Sequence, residues 1–415
     1  MGRMQKNDLA RMCFLLASFF AMTGSDLPLV GKLRPFHIGL VFGLAGVALL
    51  SPKLKDFLNL TKESVIAFLI IIPQLLWVQD LRRFLLYTAF LGLGLMFFMI
   101  GRVVARDLRS LPTRTYYVVL IFWMCALCYK LQFPYPSEFP MQGGPFGNIN
   151  DMATALIILL LIHYSLAATV SFTLVSAAWI YAASLDRRAA LLSLLVFFVL
   201  DVWNSQAKRQ FFQKCSVYGT LLMLSYLFWL AKFQRFFDIV EPNSNSWTLP
   251  QSSENQRISL LKQMIANMQE APLWQVFTGK GLGQLNLSLP IIHVESWASP
   301  HFFWMEMYFY LGVSWLIWLG YLFLKSDRRG RIALITIGIA GCAMSSMIYF
   351  APLYLLLGIL SARKNTLPLI FRRSFLNHDV VEPKLATVVP LGVEAPVDYK
   401  VFRVLRRFRM LSQLE

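Results

Sequence analysis

Long apolar runs separated by short polar connectors organise this chain. The runs recur between residues 9 and 362, and most approach the length, about 20 residues, at which a helix crosses a hydrocarbon layer. About twelve candidate spans meet that criterion, at 9–30, 36–50, 64–78, 84–101, 115–131, 152–167, 168–184, 189–203, 212–230, 301–324, 332–348 and 349–362. The pattern predicts an all-α fold, a polytopic transmembrane helical bundle with one long external loop that contains short helices. Four regions follow: spans over 1–230, the loop over 231–300, further spans over 301–362, and a basic tail over 363–415.

Inside the loop the period changes. Ser253, Glu254, Asn255 and Gln256 form a start resembling a capping box. Ile258, Leu261, Ile265 and Met268 then recur at helical spacing, and Leu260 and Met264 widen the stripe. Pro272 is expected to end this helix. Gly279, Lys280, Gly281, Leu282 and Gly283 follow as a flexible glycine turn. Their spacing is not that of a phosphate-binding P-loop.

Composition rules out an ordinary soluble domain. Of 415 residues 57% are hydrophobic and 15% charged, against about 25% charged in soluble proteins. The net charge of +17 would point to nucleic acid in a soluble chain. Here most basic residues sit in short connectors, on the side that also holds both termini if the N-terminus is cytoplasmic, which is the positive-inside pattern. That register requires an even number of spans. The first apolar run lacks a cleavage signal and is expected to be retained as a span. The five cysteines lie in or beside apolar runs and read as small apolar residues, Cys125 and Cys128 included. The end of the tail, from Lys400 to Leu411, is basic and amphipathic. It suits adhesion to anionic headgroups, or a tail whose charges only reinforce topology.

The informative charges are those on the opposite, external side. Lys32, Arg34, Arg82, Arg83, Arg187, Arg188, Lys232, Arg235 and Arg257 come from connectors far apart in sequence. Guanidinium groups at that interface match the oxygens of a phosphate or diphosphate, although headgroup contact explains any one of them alone. Arg187 and Arg188 occupy a tight turn, and whichever opens the next helix stands at its positive end, with Asp186 a candidate cap. His301, after Pro300, begins the first span beyond the loop among Trp297, Phe302, Phe303 and Trp304. Glu306 falls on another side of that helix, so the two do not form an obvious dyad. No carboxylate-rich external motif suggests a metal, and no cofactor is expected.

Four features in order resemble the O-antigen ligase and polymerase superfamily of bacterial inner-membrane glycosyltransferases. They are Gly144, Pro145, Phe146, Gly147, Asn148, Ile149, Asn150 and Asp151 leading into a span; Arg188 with Ala189, Ala190, Leu191 and Leu192; a loop helix carrying Arg257, followed by Ala271, Pro272 and the glycine turn; and His301 with Glu306 and Gly312 behind it. The likeness covers roughly residues 115–325. The chain departs from the family pattern in Ile149, where many members have proline, and in Phe302, where many have asparagine.

The resemblance implies transfer of a glycan from undecaprenyl diphosphate to an acceptor sugar hydroxyl at the periplasmic face. The acceptor is the lipid A core in ligases and a lipid-linked repeat unit in polymerases. It implies that Arg188 and Arg257, with Arg187 beside them, bind the diphosphate and stabilise the leaving group, and that His301 takes the acceptor proton. The expected partners are the lipid-linked glycan donor, a lipid-linked or core oligosaccharide acceptor and membrane lipids, without nucleic acid. An exopolysaccharide polymerase, a flippase for lipid-linked glycans and a membrane scaffold with a binding loop are the alternatives.

Overall fold

The computed structural model describes residues 6–23, 34–50, 65–66, 68–105, 113–132, 149–167, 170–184, 187–205, 207–230, 253–285, 302–344, 348 and 350–362. The tail from 363, with its expected membrane adhesion, lies outside the described residues, as do Gly144 to Asn148. Every described element is helical, and no strand occurs among the described residues, as the all-α expectation requires.

The helices before the loop are α1 (Lys6–Met22), α2 (Pro35–Leu50), α3 (Leu81–Val103), α4 (Thr113–Gln132), α5 (Ile149–Leu166), α6 (Phe172–Ser184), α7 (Arg188–Trp203) and α8 (Lys208–Leu230). The loop contributes α9 (Ser253–Gln269) and α10 (Leu273–Thr278). Then come α11 (Phe303–Leu311), α12 (Val313–Lys325), α13 (Arg328–Ala340) and α14 (Ala351–Ala362).

Among the described residues, by length and composition one helix, α3, could cross a membrane, and the α11–α12 pair would add a second if counted as one span. The segments α2, α5, α6 and α14 are apolar but shorter. The described residues therefore do not present about twelve long straight helices, and two expected spans differ for visible reasons. The segment at 64–78 ends in a 3-10 turn, Ile72–Leu76, because Pro73 sits in its first turn and supplies no N–H. The segment at 301–324 is bent by 119° at Gly312, so α11 and α12 are separate rods.

Close packing relies on glycine. A Cβ at Gly39 would stand 2.9 Å from Phe20 Cβ, and one at Gly46 would stand 2.9 Å from the Phe14 ring, so α1 and α2 run antiparallel in close contact. On α3, Gly94 faces the Tyr354 ring and Gly101 faces the Leu355 carbonyl, while Gly358 of α14 lies on the Phe98 carbonyl. Gly94 with Tyr354, Phe98 with Gly358 and Gly101 with the Ile359 N–H pair in increasing order, so α3 and α14 are parallel with their backbones touching. Small residues permit that approach, and dispersion rather than hydrophobic burial holds such a contact in an apolar surrounding. The helix α14 is buried along its whole length, which makes it the axis of the bundle.

The helices α7 and α13 run antiparallel. Ser193 Oγ donates to the Thr336 carbonyl (2.7 Å), and Arg328 Nη2 donates to the Trp203 carbonyl (3.4 Å). Arg329 Nη1 donates to the Ala167 carbonyl at 2.9 Å, just beyond the end of α5. The ends of α5 and α7 and the start of α13 therefore share one end of the bundle.

Candidate functional site

The opposite end of that bundle carries the turn with the paired arginines. α6 ends at Ser184, and the Arg187 N–H reaches back to the Ala182 carbonyl (2.8 Å), the six-to-one bond that closes a helix C-terminus. Arg188 then opens α7, whose run of Ala, Leu and Phe continues without Gly or Pro. Arg187 is the N-cap residue and its side chain makes no capping bond, so the cap position belongs to Arg187 and not to Asp186. Asp186 itself lies outside the described residues. The first-turn N–H groups and the exposed Arg188 side chain add positive potential at one point. Arg187 is half-buried and acts electrostatically on the Tyr181 phenol.

Arg83 is committed to a local pair. Asp80 caps α3 by accepting from the Arg83 N–H (3.0 Å), and its other oxygen lies 3.0 Å from Arg83 Nε. The pair is partly exposed and contributes little to stability.

The loop helix buries Leu260, Met264 and Met268, while Ile265 is exposed. The buried seam is thus rotated from the expected one towards the residues that were read as its margin. Helical spacing puts position 257 on that seam, one turn ahead of Leu260. The Arg257 side chain and His301 lie outside the described residues. The helix ends at Gln269, ahead of Pro272, and Pro272 instead serves as the N-cap of α10.

The glycine turn is pinned, which reverses the expectation of flexibility. Gly279, Gly281 and Gly283 have φ of 87°, 112° and 72°, which favour glycine. Gln74, fully buried, holds the turn from below. Its Nε2 donates to the carbonyls of Thr278 (2.6 Å) and Tyr310 (2.7 Å), and its Oε1 accepts from the Leu282 N–H (3.1 Å). Gln284 grips the other edge. Its Oε1 accepts from the N–H groups of Gln79 and Asp80, both at 3.2 Å, and its Nε2 donates to the Asp80 carbonyl at 3.1 Å. The Lys280 N–H donates to the Phe309 carbonyl (2.9 Å). Trp77 and Trp274 meet edge to face with centroids 4.1 Å apart.

Gln74→Leu removes one side chain and strands three backbone groups, two of them buried and one partly so. It is expected to destabilise the protein by about 3 kcal/mol, whereas Gln284→Ala, nearer solvent, should cost about 1 kcal/mol. Thermal unfolding of the detergent-solubilised variants checks both values.

Beneath the turn lies a small polar array. Glu306 is buried, at 1% exposure, and its carboxylate acts on the phenols of Tyr87 and Tyr310. The two rings meet edge to face with centroids 5.6 Å apart. Gly283 packs on Arg83 and the Tyr87 ring, so the array extends from the Arg83–Asp80 pair at the surface down to Glu306.

The segments that carry the expected residues therefore connect as follows. Trp304 Nε1 donates to the Gly338 carbonyl (2.7 Å), and its indole packs on Gly341, at the end of α13. The antiparallel pairing of α7 with α13 brings the Arg188 end of α7 to that same end. The beginning of α11, next to His301, and the beginning of α7 thus converge, while the far end of α11 is clamped by the turn that follows α9 and α10. Phe302 is the N-cap of α11 and, lacking a polar side-chain atom, makes no capping bond.

Two groups of residues were not legible as functional from the sequence. Gln74, Tyr87 and Tyr310 lie within apolar runs, where a glutamine is itself a signal, and Asp201, the acidic residue within α7, is a signal of the same kind. Among the described residues no three His, Cys, Asp or Glu side chains gather closely enough to hold a metal ion. No protein-family model matches the chain, and no curated protein matches it.

Proposed function

We propose that this chain is a membrane-embedded glycosyltransferase of the O-antigen ligase type. It would move a glycan from undecaprenyl diphosphate to an acceptor sugar, the lipid A core or a similar oligosaccharide, at the periplasmic face of the bacterial inner membrane. The proposed scaffold is a bundle of about twelve crossings, short and bent ones included, with both termini in the cytoplasm. The directions of α1 against α2, α3 along α14, and α7 against α13 are those such alternation needs.

One observation carries the reading: the helix opened by Arg188 and the helix that follows His301 begin at the same end of α13, and the glycine turn behind the Arg257 helix is fastened to the other end of α11. Residues more than a hundred positions apart in sequence are thereby tied into one framework.

In the proposed reaction the acceptor hydroxyl oxygen attacks the anomeric carbon and forms the new glycosidic bond. The bond from that carbon to the diphosphate oxygen breaks, and the lipid diphosphate leaves with the electron pair. Arg188 and Arg257, with Arg187 nearby, stabilise the charge that develops on the leaving oxygens. His301 accepts the hydroxyl proton.

Arg188→Ala, Arg257→Ala and His301→Ala should each lower transfer by at least about a hundredfold while the protein accumulates normally. Arg188→Lys, which keeps the charge and loses the fork, should be intermediate. Transfer at the wild-type rate in all three alanine variants would overturn the proposal. A deletion strain distinguishes the two acceptor classes: bare core with accumulated lipid-linked polymer marks a ligase, and core bearing one repeat marks a polymerase.

A further inference from the structure

The end of the bundle away from the arginine turn carries a second concentration of charge. At the junction of α7 and α8 the side chains from Ala207 to Gln213 are all exposed. That stretch holds Lys208, Arg209, Phe211 and Phe212, with Phe212 at 68% exposure. Trp203, at the end of α7, is 75% exposed. Arg328, exposed, reaches the Trp203 carbonyl, so the start of α13 joins the same patch.

Lys214 does not belong to that outward set. Its ammonium is turned onto Asp201, 2.8 Å from the carboxylate and 3.0 Å from the carbonyl. Tyr218 donates to the other carboxylate oxygen at 2.7 Å. This buried pair fixes α8 to α7. It also turns Lys214 onto an internal partner, which leaves Lys208, Arg209 and Arg328 as exposed cations beside three exposed aromatic rings.

We infer that the α7–α8–α13 junction is a binding site for anionic phospholipid headgroups. Cations at that height neutralise the lipid phosphates, and Trp and Phe side chains sink into the boundary between headgroups and acyl chains. A neutral surface would satisfy the rings without the cations, and a soluble anion would satisfy the cations without the rings. The combination selects an anionic lipid. The inference rests on the membrane-embedded part of the proposal above and not on the glycosyl transfer.

The test is lipid retention by the full-length protein. Wild type is reconstituted in nanodiscs of phosphatidylcholine containing phosphatidylglycerol, extracted in mild detergent, and its bound lipids are counted by native mass spectrometry. Phosphatidylglycerol should be retained over phosphatidylcholine, and added salt should erase the preference. Each of Lys208→Gln, Arg209→Gln and Arg328→Gln should weaken retention roughly fivefold, and the triple variant should lose the preference altogether. A variant with Arg403, Arg406, Arg407 and Arg409 changed to Gln should keep it. Equal retention of the two lipids by wild type, or a triple variant that retains phosphatidylglycerol as wild type does, would overturn the inference. So would a preference abolished by the tail substitutions alone. A wild-type chain that does not enter nanodiscs overturns this inference together with the membrane reading, whereas a correctly embedded chain without lipid preference overturns this inference alone.

Discussion

Gly279→Ala and Gly312→Ala should each destabilise the protein by about 3–5 kcal/mol, the sum of backbone strain and overlap in a filled space. Gly279 has φ 87° and ψ 166°, and Gly312 has φ 64° and ψ −156°, a region that essentially only glycine occupies. Each is also the other's neighbour. A Cβ at Gly279 would overlap the Tyr310 carbonyl, and one at Gly312 would overlap the Val276 carbonyl and crowd the Gly279 N–H. The glycines let the turn after α10 press directly on the bend between α11 and α12. Gly320→Ala supplies the contrast, because a Cβ there meets nothing within 4 Å. That substitution should be neutral or stabilise α12 by up to about 1 kcal/mol. Thermal unfolding in detergent of the three variants decides the matter, and equal melting temperatures would remove the clamp from the account. If the proposed reaction holds, transfer should fall with the folded fraction in the first two variants, since the bend orients α11.

Lys214→Met should cost about 3–5 kcal/mol, because it leaves the Asp201 carboxylate buried without its counter-charge. The side chain of Asp201 is fully buried and that of Lys214 is 25% exposed, so water cannot take the place of the missing partner. Replacing both, as Asp201→Leu with Lys214→Met, should recover most of the loss, since an apolar pair of similar volume removes the charge as well as its partner. The Tyr218 hydroxyl then loses its acceptor, which limits the recovery by about 1 kcal/mol. A thermodynamic double-mutant cycle on the four proteins measures the coupling, and additive effects would mean that the pair does not tie α8 to α7.

The helical class, the position of the loop helix and a helix start at the Arg187–Arg188 pair could all be read from the sequence. Each is a local matter. An apolar run without Gly or Pro favours a helix whatever surrounds it. Run length was a poorer guide to helix length. The residues at 64–78 are as apolar as their neighbours, but Pro73 interrupts the hydrogen-bond ladder. The residues at 301–324 are equally apolar, and Gly312 breaks them by adopting a positive φ that hydrophobicity does not register. The seam of α9 was misassigned for a related reason. Leu260, Met264 and Met268 compete with Ile258, Leu261, Ile265 and Met268 as the apolar stripe, and both fit the helical period. Only the surface against which α9 packs selects between them.

The sequence by itself determined that the chain is helical and strongly apolar, and that a helix starts at the pair Arg187 and Arg188. These follow from residue type and from interactions within a turn or two of helix, which do not depend on the rest of the molecule. Tertiary structure decided that the glycine turn is clamped, that Gln74 bonds to groups more than two hundred residues away, that Glu306 lies beneath two tyrosines, and that Lys214 is spent on Asp201. Those contacts arise only when helices distant in sequence are brought together. Their strength comes from burial, which no periodicity in the chain encodes.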